Sequence, residues 1–123
     1  MEEELFTRLT TYAGLAALIG LRAYPTRLPQ ASALPAIVYT VIDGVPVELL
    51  SAESGTFTTR VQITAFAATY SAAKDVARQV HAALARYRGT TIRDINADNT
   101  GGDFYDDQAE QYQVVADYLI THT

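Results

Sequence analysis

The longest uninterrupted pattern in the chain runs from Thr59 to Leu84, TRVQITAFAATYSAAKDVARQVHAAL. Its first half alternates. Val61, Ile63, Ala65 and Ala67 share one face and Arg60, Gln62, Thr64 and Phe66 the other, the period-two signature of a half-buried strand over Thr56 to Ala68. The period then changes. Ser71 is a good N-cap, and Ala73, Val76, Ala77, Val80, Leu84 and Tyr87 recur at helical spacing, which predicts a helix from Ser71 to Tyr87 with Gly89 as its C-cap. Its many alanines allow close approach to a sheet.

Upstream, Leu5, Leu9, Tyr12 and Ile19 form a second helical stripe with Leu15 and Leu18 beside it, and predict one helix from Glu2 to Ile19. Glu2, Glu3 and Glu4 suit the positive end of its dipole, and Gly20 suits a left-handed exit. Pro25, Pro29 and Pro35 then forbid a helix and bias Leu21 to Pro35 towards an extended crossing. Ala36 to Ile42, AIVYTVI, reads as a strand from its β-branched and aromatic residues. Strand character resumes after Asp43-Gly44, where Val45, Val47 and Leu49 alternate with Pro46, Glu48 and Leu50 before a turn at Ser51 to Gly55. Downstream, Thr90 to Ile95 predicts a short strand, Asn96 to Asp107 a polar loop, and Glu110 to Thr121 a last strand.

The order α-β-β-α-β-β predicts one α+β domain over residues 1–123. The architecture expected is a two-layer sandwich, with two helices on an antiparallel sheet of about four strands. Arms of about 13 residues in the first hairpin span roughly 40 Å, against a domain diameter of about 35 Å and a covering helix of about 25 Å. The end around Val45 to Phe57 is therefore expected to project and to need a partner for Val45, Val47, Leu49 and Phe57. The alternative is a hairpin broken at Gly44-Val45-Pro46 that folds back on its own core.

Composition narrows the function classes. Hydrophobic residues at 49% and charged residues at 19% are ordinary for a globular domain. No apolar run is long enough to span a bilayer, and the acidic start Met1-Glu2-Glu3-Glu4 is unlike a secretory signal. The chain has no cysteine, which removes disulfides, thiolate metal sites and cysteine nucleophiles. A net charge of −5 disfavours nucleic-acid binding, which draws on Lys and Arg to neutralise phosphates.

Candidate chemistry is sparse. Asp94-x-Asn96-x-Asp98 has the first spacing of a calcium loop, but Asn99 stands where glycine is needed and Tyr105 where glutamate is needed. A solvated turn-rich loop explains the same residues. With Asp103, Asp106, Asp107 and Glu110 the loop also suits contact with a basic partner. His81 lies beside the second helical stripe without a nucleophile or orienting acid at readable spacing, His122 falls in the C-terminal tail, and Lys74 reads as solvated. No nucleophile elbow, Walker loop or zinc-protease motif occurs. The residues therefore predict no enzyme, no cofactor and no resident metal.

Several segments in order resemble the tail-completion, or tail-terminator, proteins of long-tailed bacteriophages and prophages. They are Gly20-Leu21-Arg22-Ala23-Tyr24-Pro25 with Leu28-Pro29-Gln30, then Leu34-Pro35-Ala36-Ile37-Val38-Tyr39. Arg60 to Ala67 running into Ser71 to Val76 follows, and Tyr112 to Tyr118 closes the set. The resemblance covers nearly the whole chain. It implies a structural protein that caps the head-proximal end of the tail tube as a ring, typically a hexamer, and joins it to the head–tail connector. DNA would pass through without specific binding. The implied partners are other copies of the chain, the tail-tube protein and the connector, with no membrane. The implied location is the virion tail, and the host cytoplasm during assembly. The expected contact residues are Val45, Val47, Leu49 and Phe57, with Asp98, Asp103, Asp106 and Asp107. Alternatives are another head–tail joining or minor tail protein and, from a different class, a small metal-binding module or metal-dependent enzyme using loop 94–107.

Overall fold

The computed structural model describes residues 1–42 and 57–123, with backbone alone at 98–101. The elements are α1 (Glu2–Thr11), α2 (Ala13–Ile19), β1 (Ala23–Pro25), β2 (Ala36–Val41), β3 (Phe57–Ala67), α3 (Tyr70–Leu84), β4 (Ile92–Asp106) and β5 (Gln111–His122). The α+β class is as expected. Among the described residues the sheet has five strands in the order β1-β2-β3-β5-β4, antiparallel except for β1 against β2. All three helices contribute to the core on one face of this sheet.

The strand-to-helix unit forms as the periodicity requires. Val61, Ile63, Ala65 and Ala67 are buried while the alternate residues are only partly covered. Thr69, two residues before the expected cap, accepts a 3.2 Å hydrogen bond from the Ala72 N–H, so α3 begins at Tyr70. Its stripe Ala73, Val76, Val80, Ala83 and Leu84 meets Leu5, Leu9, Leu15 and Ile19 above Ile37, Ile92 and Ile120.

Three details depart from the sequence pattern. The first helix is two: Tyr12 is extended, at φ −69° and ψ 117°, and caps both. Thr10 and Thr11 hydroxyls donate back to the Phe6 and Thr7 carbonyls at 2.8 and 2.6 Å, a habit that bends helices. Residues 92–106 are a 15-residue strand instead of a short strand and loop. Bulges at Ile92/Asp94, Ala97/Asn99 and Thr100/Gly102 absorb the extra residues along this polar edge. Finally, α3 ends at Leu84, and Arg86 takes the left-handed turn at φ 61° in place of Gly89.

Gly89 has another use. A Cβ there would overlap the Glu4 carboxylate and the Tyr87 hydroxyl. Glu4 accepts hydrogen bonds from the Thr91 N–H at 2.7 Å, the Thr91 hydroxyl at 2.8 Å and the Tyr87 hydroxyl at 3.0 Å. One turn on, the Arg8 guanidinium lies between the Tyr12 and Tyr87 rings, and its Nε donates to the Ala83 carbonyl at 2.7 Å. These two side chains clamp α1 to the exit of α3.

Candidate assembly surfaces

Among the described residues, the helices on one face leave the other face of the sheet without a helical layer. Register places Gln62, Thr64 and Phe66 of β3 beside Gln113, Val115, Asp117 and Leu119 of β5 on that face, all partly exposed. Arg60 lies 3.4 Å from Asp117 Oδ2, and the buried Asp117 Oδ1 has no hydrogen-bond partner among the described residues.

A second surface lies where β3 enters α3 and β4 turns into β5. Among the described residues the large apolar side chains that stay exposed are Leu21, Tyr70, Phe104 and Tyr105, the last three at 47%, 55% and 49%. Tyr70 and Tyr105 both pack on Tyr112, at ring separations of 6.0 and 4.6 Å. The Tyr70 hydroxyl donates to Asp103 at 2.7 Å, and Lys74 reaches the same carboxylate at 2.9 Å. Those two bonds hold the Asp103 carboxyl below its usual range, and the bond to Asp103 raises the Lys74 ammonium. Asp106 accepts from the N–H groups of Gln108 and Ala109 and so closes the β4–β5 turn. Partial burial and then the charges of Glu110, Asp107 and Asp106 push the Tyr105 hydroxyl up.

The third feature is a groove of about 910 Å³ between α3 and the β4–β5 hairpin. Ala77 and Ala82 form one wall and Val114, Ala116 and Tyr118 the floor, with Lys74, Arg78 and His81 along the rim. Arg78 is paired with Asp75. Burial raises the Tyr118 hydroxyl to about 12.

The expected contact residues are thus divided. Asp103, Asp106 and Asp107 come together at the hairpin turn with three tyrosines and Phe104 that sequence reasoning left scattered. Phe57 opens β3 at the opposite end of the sheet, partly buried and stacked on His122 at 6.0 Å. His122 is accordingly part of β5, with its ring 2.7 Å from the Thr59 hydroxyl, and no loose tail. Lys74 is tied to Asp103 instead of solvated alone. Val45, Val47 and Leu49, and the side chain of Asp98, lie outside the described residues. Asp94 and Asn96 sit on a strand, which lays them along one face rather than around an ion. Among the described residues no three acidic or histidine side chains converge as a metal site, and no helix is long and apolar enough to cross a membrane.

Residues 3–123 match the family described as tail completion protein gp17, and the chain belongs to that family of structural phage-tail proteins. Its fold is similar to a chain in the solved virion of a native gene transfer agent particle, with a TM-score of 0.72 at 17% identity over 96% of this chain and 90% of that one. None of the curated proteins matches it in sequence.

Proposed function

We propose that this protein caps the head-proximal end of the tail tube as a ring of six copies and joins the tube to the head–tail connector. The observation that carries the reading is the gathering of Tyr70, Phe104 and Tyr105, exposed, at one end of the sheet beside Asp103, Asp106 and Asp107. Exposed aromatic clusters at a well-ordered turn are the usual anchors of protein interfaces, and the surrounding acids favour basic partners. Family membership supplies the context of the tail. Val45, Val47, Leu49 and Phe57 would make contacts between copies, while Asp98, Asp103, Asp106 and Asp107 would face the tube or the connector. DNA would traverse the ring without being held, because an acidic chain releases few counterions on meeting phosphates. The ring would be built in the host cytoplasm and finish in the virion tail.

Native mass spectrometry and electron microscopy of the protein, alone and mixed with purified tail tubes, test this. The expected result is a closed ring, free or seated at one tube end. A protein that stays monomeric in both preparations and does not bind tubes would overturn the proposal.

A further inference from the structure

We infer that the paired rings of Tyr105 and Tyr112, with Asp107 and Glu110, form a docking site for an arginine side chain presented by the protein that stacks on this end of the ring. The inference rests on the reading of the aromatic turn as an assembly face and names what that face holds.

The chain uses this chemistry twice within itself. The Arg8 guanidinium lies 4.9 and 4.8 Å from the centres of the Tyr12 and Tyr87 rings, and the Tyr87 hydroxyl donates to the Glu4 carboxylate. The Lys74 ammonium lies 5.5 Å from the centre of the Tyr70 ring, and the Tyr70 hydroxyl donates to Asp103. In both places a cation rests on a tyrosine whose hydroxyl is bonded to a carboxylate, so ring quadrupole and charge attract it together. Tyr105 and Tyr112 repeat the ring pair at 4.6 Å, with 52° between their planes. Asp107 and Glu110 are exposed on the turn beside them, close enough that their charges push the Tyr105 hydroxyl up. Among the described residues no cation lies over either ring, and none pairs with Asp107 or Glu110. The acids alone would suit any cation. The exposed rings select a guanidinium, which is planar, stacks on an aromatic face and still offers N–H groups to a carboxylate.

The missing cation does not come from the same chain. Residues 43–56 and 98–101 contain no Lys or Arg. Lys74, Arg78 and Arg60 are held by Asp103, Asp75 and Asp117. Arg22 is bonded to the Leu18 and Pro35 carbonyls, and Arg27 lies just past β1, at the sheet edge away from β4. Arg86, Arg88 and Arg93 are exposed and meet no carboxylate among the described residues. They lie past the C-terminal end of α3, whose 15 residues put about 22 Å of helix between them and Tyr70. In a ring whose aromatic turns face along the tube, these arginines of every copy sit at the opposite rim. The arginine is therefore a stacked partner's.

Titration of the full chain with a blocked peptide of arginines, followed by NMR of the tyrosine rings, tests the site. Matching peptides of lysine and of citrulline are the comparisons, since citrulline keeps the planar group and removes its charge. The expected result is saturable shifts of Tyr105 and Tyr112 with arginine, severalfold weaker binding with lysine and none with citrulline. Tyr105→Ala and, separately, Asp107→Asn with Glu110→Gln should each weaken arginine binding severalfold. Thermal melts of these variants, expected within a few degrees of the parent, establish that lost binding is not lost folding. Arginine shifts that do not saturate or that fall elsewhere, or lysine or citrulline binding as tightly as arginine, overturn the inference. By native mass spectrometry Tyr105→Ala should form rings as the parent does. Rings lost both in Tyr105→Ala and in a chain carrying Arg86→Glu, Arg88→Glu and Arg93→Glu place a second copy's arginine in the site and also overturn it. Parent rings without peptide binding remove the site and leave the ring reading standing. Peptide binding without rings, with or without tail tubes, removes the ring reading and leaves the arginine site.

Discussion

Glu4 is the place where a single substitution best tests the energetics of this fold. Its carboxylate receives three hydrogen bonds, two from Thr91 and one from Tyr87, across 87 and 83 residues of sequence. A bond to a charged acceptor contributes about 1.5–3 kcal/mol, and the site is only partly buried, so water can enter and recover some of the loss. Glu4→Ala is therefore expected to cost about 2–3 kcal/mol, and Glu4→Gln, which keeps an acceptor, about 1 kcal/mol. For a domain of this size that corresponds to a fall in Tm of roughly 8–12 °C for alanine. Gly89→Ala should also destabilise, because its Cβ would displace the same carboxylate. The two changes share one contact, so the double variant should be more stable than additivity predicts by about 1 kcal/mol. The pH dependence follows from the direction of the shift. Burial raises the Glu4 carboxyl, but the bonds from Thr91 and Tyr87 outweigh it and hold the group below its ordinary value of 4.5. Its folded form thus gives up its proton more readily than the unfolded form. The stabilisation is fully present above the unfolded value and is lost as pH falls through the folded one. Thermal unfolding followed by circular dichroism from pH 7 down to pH 3 reads both effects. A Glu4→Ala protein within 0.5 kcal/mol of the parent, or a Glu4→Gln protein with the parent's acid profile, would refute the clamp.

Leu84→Ala removes a fully buried side chain at the end of α3 and should cost about 2–5 kcal/mol in chemical denaturation. Spectrophotometric titration should show Tyr118 ionising last, near 12. The unfolded tyrosine loses its proton near 10, so the contribution of Tyr118 to stability should be constant below pH 10 and fall between pH 10 and 12, and Tyr118→Phe should lessen the alkaline loss of stability. Calorimetric titration with Ca²⁺ or Mg²⁺ should give no binding heat and no shift in Tm, since Asp94 and Asn96 lie along a strand; a stoichiometric binding isotherm would revive the metal reading.

The parts of the fold that repeat a clean period were legible. β3 and α3 bury one face each, and Val61 to Leu84 announces both. The first helix was misread because its stripe from Leu5 to Ile19 continues across the break. Only the hydroxyls of Thr10 and Thr11, bonding back to their own helix, mark where it bends. β4 was hidden for a physical reason. It is an edge strand with bulges, so Asp94, Asn96 and Asp103 need no apolar alternation, and its Gly101-Gly102 imitates a turn. The length of β5 was the signal that could have found it, since a partner confined to Thr90 to Ile95 would leave about half of its twelve residues unpaired on that side. The assembly surface was half legible. The acids Asp103, Asp106 and Asp107 stood out as a run, but Tyr70 joins Tyr105 and Tyr112 only because β3 feeds α3 beside the β4–β5 turn. No one-dimensional pattern contains that meeting.

The sheet order β1-β2-β3-β5-β4 has a consequence for biosynthesis. The last of the five strands to leave the ribosome is not at the rim of the sheet but between β3 and β4. Until residues 111–122 emerge, β3 lacks one neighbour and β4 has none, so the nascent chain exposes two unzipped edges. A chain with such a topology completes its sheet only when residues 111–122 insert between β3 and β4. Removing β5 would leave β3 and β4 without their shared neighbour, as damaging to the sheet as a break in the middle of the chain.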